Sequence, residues 1–341
     1  MKIAVYSAHN FDKKFLEKGD ENKFEFIYFK DALTIETVVL AKGCKGIAIF
    51  TSDNASAEVL YALKEISISF IVTRSAGFDH IDLNVAAELG IHVANVPAYS
   101  PNAIAEHAVA MMLALARKLV LADKKIKQYD FTIDNLIGFN LDSKTAGIIG
   151  TGKTGATTIK ILKGLGCNII AYDVQEDNKL VVEYEVEYVP LDGLFQKSDI
   201  ISIHAPLNKY TTYLIDEKSI STMKDGVMLI NTSRGKIIDT QAVVNALTSR
   251  KIGYLGMDVY ENEMGIFFKD FKGKTFNDKL LKELMTFPNV LITAHQAFLT
   301  NEALKNIADT TLFNIDCFAN NKVNPNSLNM NIINSHEVEL R

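Results

Sequence analysis

Short apolar runs alternate with longer amphipathic segments along most of the chain. Early in it, residues 2–7, 24–28, 46–50, 70–72 and 91–93 read as strands, with helical patterns such as 56–64 between them. Strands without a polar face are those covered on both sides, so this alternation predicts a parallel sheet flanked by helices, an α/β domain of about 100 residues. A long helix then opens at Ser100, which can cap it, and at Pro101, which suits its first turn. Ile104, Ala108, Met111, Met112, Leu115 and Leu119 recur in it at helical spacing, and the polar run Asp123, Lys124 and Lys125 returns it to solvent. A helix apolar over most of its circumference is predicted to lie buried between domains or subunits, and a domain boundary is placed near its start.

From Thr145 the strands share one design. Residues 145–149 and 168–172 form the first pair, and Asp173 sits at the end of the second. Residues 199–203 end at His204, and 227–230 end at Asn231, Thr232, Ser233, Arg234 and Gly235. Residues 254–257 end at Asp258, and 290–293 end at His295. In open α/β sheets ligands bind beyond the carboxyl ends of the strands. Polar or ionisable groups at so many strand ends point to a site there, where a purely structural domain would carry ordinary turn residues. The last helical segment, 301–317, is amphipathic, and the Asn-rich tail from 320 is expected to be partly disordered at its end.

The first of these turns has a specific chemistry. Gly150, Gly152 and Gly155 fit G-x-G-x-x-G after an apolar strand and before a helix with Ile159, Ile161, Leu162 and Leu165. The first glycine allows the tight turn, the second lets a pyrophosphate approach the backbone, and the third lets helix pack on strand. Asp173 can then accept hydrogen bonds from an adenosine ribose. Gly147, Gly152, Lys153 and Thr154 also match the phosphate-loop pattern G-x-x-x-x-G-K-T. That register would start the loop inside the apolar strand and leave Gly155 and Asp173 without roles. The dinucleotide reading uses every position.

Composition narrows the partners. The 341 residues suggest about two domains. They are 48% hydrophobic and 23% charged, with a net charge of −5, which argues against a nucleic-acid or anionic-membrane surface. Cys44, Cys167 and Cys317 are scattered, in no metal spacing, and are expected to be buried reduced thiols of a cytoplasmic protein without a bound metal. No signal peptide is expected, since residues 1–6 read directly as a strand pattern. The longest apolar stretch, 108–122, contains Arg117 and Lys118 and is too short and too charged to span a bilayer.

Few residues can do chemistry at those strand ends. Of the five arginines only Arg234 lies at one, where its planar guanidinium can grip a carboxylate through two hydrogen bonds. Of the seven histidines, His9, His80, His92 and His336 lack motif context, and His107 is expected to pack or cap within its helix. His204, before Ala205 and Pro206, is expected to line the cofactor cleft. His295 is the best acid/base candidate, since a histidine proton can move near neutral pH. A carboxylate beside it would favour the protonated ring. The run from Asp258 to Glu263 offers one, but spacing cannot choose between Glu261 and Glu263.

The ordered motifs from Gly150 to Gly155, Asn231 to Gly235, Gly256 to Glu263 and His295 to Phe298 resemble the D-isomer-specific 2-hydroxyacid dehydrogenases, most of all the fermentative D-lactate group. The segments from Ala76 to Asp79 and from Val96 to Pro101 match that group too, and the likeness reaches to about Leu328. It implies two Rossmann-like, doubly wound parallel-sheet α/β domains with the active site in a cleft between them. Residues 1–99 with 296–330 would form a discontinuous substrate-binding domain, 100–295 the NAD-binding domain, and 331–341 a flexible tail. It implies Arg234 as substrate-carboxylate anchor, His295 as proton donor and Glu263 as the partner that tunes it.

It further implies Ala76, Gly77, Tyr99 and Phe298 around the substrate. Lys153 and Thr154 would contact pyrophosphate, and Ala205, Pro206 and Thr232 the nucleotide. Asp258 would support the network beside the cofactor. Thr211, where relatives often have asparagine, would make a further contact to the cofactor. The expected reaction is reduction of pyruvate to D-lactate by NADH in a homodimer or homotetramer. NAD is favoured over NADP, because no arginine follows Asp173 to receive a 2′-phosphate. Two readings stand beside it: the same chemistry on a longer 2-oxo acid such as 2-oxoisocaproate or phenylpyruvate, and, remotely, an NAD-sensing corepressor.

Overall fold

The computed structural model describes residues 1–20 and 23–328. The flexible tail expected at 331–341 lies outside these residues. The chain forms two compact units, Met1–Ser100 with the segment from Leu299 onward, and Pro101–Phe298.

In the first unit five parallel strands, β1 (Lys2–Val5), β2 (Glu25–Tyr28), β3 (Gly46–Ile49), β4 (Phe70–Thr73) and β5 (His92–Ala94), stand in the order β2-β1-β3-β4-β5. Successive strand residues point to opposite faces, so both faces are covered. Ile3, Val5, Ala48 and Val72 pack with Leu312 and Ile315 of the last helix, Asn301–Ala319. Ala4, Ile47, Ile49 and Ile71 pack with Val59, Leu60 and Leu63 of helix Ala57–Glu65. Each fully buried aliphatic side chain contributes about 1.5–3 kcal/mol of hydrophobic stabilisation. The start of the Asn-rich tail is held at the sheet edge: Ser327 bridges Ala94, and the Leu328 N–H donates to the Val93 carbonyl at 2.8 Å.

The second unit has seven parallel strands: β6 (Thr145–Ile149), β7 (Asn168–Tyr172), β8 (Glu187–Tyr188), β9 (Ile200–Ile203), β10 (Val227–Asn231), β11 (Ile252–Met257) and β12 (Val290–Ile292). Their order is β12-β11-β10-β9-β6-β7-β8. The chain runs outward from β6 to β8, then returns to β9 on the other side of β6. The crevice above β6 and β9 is therefore the topological switch point, where open α/β sheets bind ligands. One face buries Ile148 and Ile230 with Met111, Met112 and Leu115 of helix Pro101–Ala116, and the other buries Ile149, Ile201 and Leu229 with Leu194 and Phe195.

The long helix is shorter than its periodicity suggests. It stops at Ala116, Lys118 takes a left-handed conformation (φ 50°), and a second helix runs Leu119–Ile126. The Ala116 carbonyl is claimed by the returning Phe139 N–H at 3.1 Å. Leu119, read as part of the buried stripe, is consequently exposed. All three cysteines are free and buried. No helix among the described residues is long and apolar enough to cross a membrane, and no cluster there of three or more His, Cys, Asp and Glu could hold a metal.

Candidate active site

The glycine turn stands between β6 and helix Lys153–Gly164. Gly150 sits at φ +91°, and a Cβ on Gly155 would lie 1.9 Å from the Gly150 carbonyl oxygen, so a methyl there would force helix and turn apart. At Gly152, the helix N-cap, nothing approaches within 4 Å of a Cβ, and no side chain caps the first N–H groups. Exposed N–H groups at a helix start attract an anion, and this one opens onto the switch point. Asp173, at the end of β7, accepts from the Thr151 N–H at 2.5 Å and its hydroxyl at 3.0 Å, and from the Gln175 N–H at 3.0 Å. Two carboxylate oxygens offer about four acceptor positions, so capacity for a ribose hydroxyl remains. The Tyr188 hydroxyl donates to Thr151 Oγ1 at 3.0 Å and tightens this corner.

Across the crevice, His204 follows β9 and shares a hydrogen bond of 2.9 Å between Nε2 and the Ser202 hydroxyl. Burial pushes its pKa from 6.5 down to about 4. The ring is thus neutral near pH 7. The Ser233 hydroxyl donates to the Ala205 carbonyl, joining the turns after β9 and β10. Thr211 is buried, and its hydroxyl donates to the Pro206 carbonyl at 2.6 Å, so it shapes the turn after His204 from inside. The Thr232 hydroxyl is buried with no protein hydrogen-bond partner, and an unpaired buried hydroxyl beside the turn after β10 fits a polar ligand there. The open helix start, this orphan hydroxyl and the spare acceptor at Asp173 fit a dinucleotide.

Arg234 follows β10. The loop is fixed by Asn231, whose Oδ1 accepts the Ser233 N–H at 3.0 Å and whose Nδ2 donates to the Arg234 carbonyl at 2.9 Å. The next residue must be glycine: a Cβ on Gly235 would lie 2.1 Å from the Tyr260 carbonyl carbon and 2.4 Å from the Glu261 nitrogen. This backbone approach seats the arginine loop against the acidic loop after β11.

On that acidic loop the geometry separates the two glutamates. Glu263 places Oε1 2.7 Å from His295 Nδ1, while its Oε2 accepts the Tyr260 N–H at 2.9 Å. Glu261 turns away, accepting from the Tyr213 hydroxyl at 2.6 Å. His295 stands beyond β12 at φ +53°, with its N–H donating to the Asp258 carbonyl at 2.6 Å. The Asp258 carboxylate is fully buried and accepts from the Thr293 hydroxyl and the Gln296 and Ala297 N–H groups at 2.5, 2.8 and 2.9 Å. These bonds tie residues 296 and 297 to the second unit, whose chain leaves only after Phe298. The Phe268 ring lies 6.0 Å from that of His295.

In the first unit, the turn after β4 carries Ala76 and Gly77. The Ala76 carbonyl accepts from Asn95 Nδ2 at 2.7 Å and the Gly77 carbonyl from the Ser75 hydroxyl at 2.7 Å. The Tyr99 carbonyl accepts from Asn306 Nδ2 at 2.6 Å; Phe298, the last residue of the second unit, is buried. Sequence reasoning missed Asn95, Tyr188, Phe268, Thr293 and the place of His107, whose Nε2 lies 3.0 Å from the Thr293 hydroxyl. The only signal for His107 is a polar Glu106-His107 pair inside an apolar helix.

Comparison with known proteins identifies the family. Residues 109–297 match the family model described as the D-isomer specific 2-hydroxyacid dehydrogenase NAD binding domain. The chain is 46% identical over 324 residues to a 2-hydroxyacid dehydrogenase homolog of Haemophilus influenzae, covering 95% of this chain and 98% of that protein. It is 45% identical over 329 residues to D-lactate dehydrogenase of Escherichia coli, covering 96% and 100%. The apo structure of the Escherichia coli enzyme superposes with a TM-score of 0.85 at 43% identity, covering 96% of this chain and all of that one. A structure described as the pyruvate reductase of Chlamydomonas reinhardtii gives 0.89 at 39%, covering 96% and 98%. The chain belongs to the NAD-dependent D-isomer-specific 2-hydroxyacid dehydrogenase family.

Proposed function

We propose that the chain reduces pyruvate to D-lactate, reversibly, with Arg234, Glu263 and His295 as its catalytic residues. The observation that carries this reading is the His295–Glu263 pair at 2.7 Å, built on the same sheet end as the Arg234 loop. The nicotinamide cofactor, when bound, would supply the hydride as NADH in reduction and accept it as NAD in oxidation. Gly150, Gly152, Lys153, Thr154 and Gly155 would hold its pyrophosphate and Asp173 its adenosine ribose. His204, Ala205, Pro206 and Thr232 would line the nucleotide, while Thr211 and Asp258 would act by shaping the turns beside it.

Because Nδ1 of His295 faces Glu263, Nε2 is the nitrogen left to give a proton to the carbonyl oxygen. Glu263 stabilises the charged ring before the transfer and keeps the neutral ring aligned after it. Arg234 holds the substrate carboxylate through two parallel hydrogen bonds, which fixes the carbonyl face that is presented. Positioning of this kind supplies much of an enzyme's rate. Ala76, Gly77, Tyr99 and Phe298 are the substrate contacts that the family resemblance assigns.

Near-full-length likeness to proteins described as D-lactate dehydrogenases supports pyruvate as substrate. A second reading, a larger 2-oxo acid, is favoured by likeness at 33% identity and a TM-score of 0.82 to a D-2-hydroxyisocaproate dehydrogenase. One steady-state assay decides: pyruvate should give the highest kcat/KM, above 2-oxoisocaproate and phenylpyruvate, with the D enantiomer as product. A preference for either longer acid overturns the assignment.

The protein is further proposed to be a cytoplasmic homodimer or homotetramer. Val120, Ile126, Tyr129, Phe131, Ile133 and Ile137 are all exposed on the helix and loop after Lys118, an apolar surface of the kind that marks a protein interface. Sedimentation at micromolar concentration should show no monomer.

A further inference from the structure

His295 occupies a left-handed backbone conformation (φ +53°), which disfavours any residue with a Cβ by roughly 1–2 kcal/mol. Such a conformation persists only where its surroundings over-determine it. Here the surroundings are Asp258, which receives the His295 N–H on its carbonyl and the two following N–H groups on its carboxylate. A buried carboxylate holds a turn only if its own donors hold it. One of them is the Thr293 hydroxyl at 2.5 Å.

A threonine hydroxyl has a single proton, and an ionised carboxylate can only accept. That proton is therefore spent on Asp258. The contact of 3.0 Å between Thr293 Oγ1 and His107 Nε2 can then be a hydrogen bond only if His107 donates. The same nitrogen lies 3.6 Å from Asp258 Oδ1, beyond hydrogen-bond reach, so its direct partner is the Thr293 hydroxyl. A chain of polarised bonds runs from His107 on the long helix, through Thr293 at the end of β12, to the carboxylate under the proton donor. The ring itself is held by Glu263, on a separate loop.

We propose that His107 is a positioning residue for His295: its Nε2–H, relayed through the Thr293 hydroxyl, orients the Asp258 carboxylate that shapes the turn carrying the acid/base histidine. The inference rests on the reading of His295 as proton donor. His107→Leu removes the donor at similar volume, and His107→Gln restores an amide N–H on a side chain of similar reach. Thr293→Val breaks the relay in the middle.

The test reads two quantities in each variant: the His295 imidazole resonances of the ligand-free protein, labelled with 15N-histidine, and steady-state kcat and KM for 2-oxo acid reduction. His107→Leu should move the His295 resonances and lower kcat by roughly ten- to a hundredfold with little change in KM, the scale on which small misplacements of reacting groups act. His107→Gln should recover most of both. A double variant that combines His107→Leu with Thr293→Val should be no worse than either single one, because both cut one chain. Unmoved resonances in His107→Leu, or a kcat loss that His107→Gln does not recover, would overturn the proposal. So would moved resonances with wild-type kcat. His295→Gln is measured alongside: if it retains full activity, the proton-donor reading fails on its own, whatever the resonances report for His107.

Discussion

Each glutamate after Asp258 is defined by which neighbour it meets. Glu263 meets a histidine nitrogen, and Glu261 meets the Tyr213 hydroxyl. Substituting Glu263→Gln replaces the carboxylate that faces His295 Nδ1 with a neutral amide that can turn either its oxygen or its NH2 to the ring. kcat for reduction should then fall by roughly a hundredfold, the scale on which a positioned acid/base partner acts. Wild-type kcat in this variant would remove Glu263 from the pair. At Arg234, lysine keeps the charge and loses the fork. Losing one charge-assisted hydrogen bond costs about 1.5–3 kcal/mol, so kcat/KM for pyruvate should fall roughly ten- to a hundredfold in Arg234→Lys. Wild-type kinetics would displace Arg234 as the anchor. Residue types at strand ends exposed these groups in the sequence. His107 was not legible, because a polar side chain in an apolar helix looks the same whether it caps, packs or reaches a strand far along the chain.

Turns, more than strands or helices, decide the chemistry. The strands were legible because parallel strands buried on both faces are continuous apolar runs. β8, only Glu187–Tyr188, is too short and too polar to announce itself. The end of the long helix was misread because apolar spacing continues through Lys118 while the backbone does not. No periodicity encodes that Phe139 returns to take the Ala116 carbonyl. Nor does a motif state that Gly235 is in backbone contact with Tyr260, although the glycine itself was visible beside Arg234. Gly235→Ala should destabilise the fold by about 1–3 kcal/mol, the usual cost of overpacking, and lower kcat as the arginine loop shifts. Denaturant midpoints and kcat measured on the same preparation check this. Loss of neither would show that the loops are free to separate.

At the scale of the whole molecule, acid should be destabilising through His204. Burial holds its folded-state pKa near 4, against 6.5 for the exposed group. The unfolded chain therefore binds this proton as pH falls through 6.5, while the folded chain resists until about 4. Stability from this residue is complete above 6.5 and is lost between 6.5 and 4. His204→Gln, which keeps a polar partner for Ser202, should flatten the decline in unfolding free energy across that window. An unchanged slope would mean the ring is not protected. NADH should also be preferred to NADPH, since Asp173 meets a 2′-phosphate with like charge. Equal turnover with the two would sink that preference.

Glu263, Asp258, His295 and Arg234 all draw their support from within Pro101–Phe298, together with the glycine turn and Asp173. Ala76, Gly77 and Tyr99 draw theirs from the other unit, through Asn95, Ser75 and Asn306. The chain passes between the units after Ser100 and again after Phe298. Two exchange points so placed make the protein divisible for breeding. On the proposed roles, recombination at these junctions would trade Ala76, Gly77 and Tyr99 between relatives while Arg234, Glu263, His295 and Phe298 are inherited together, so that part of the substrate pocket could vary without reassembling the acid–base pair each time.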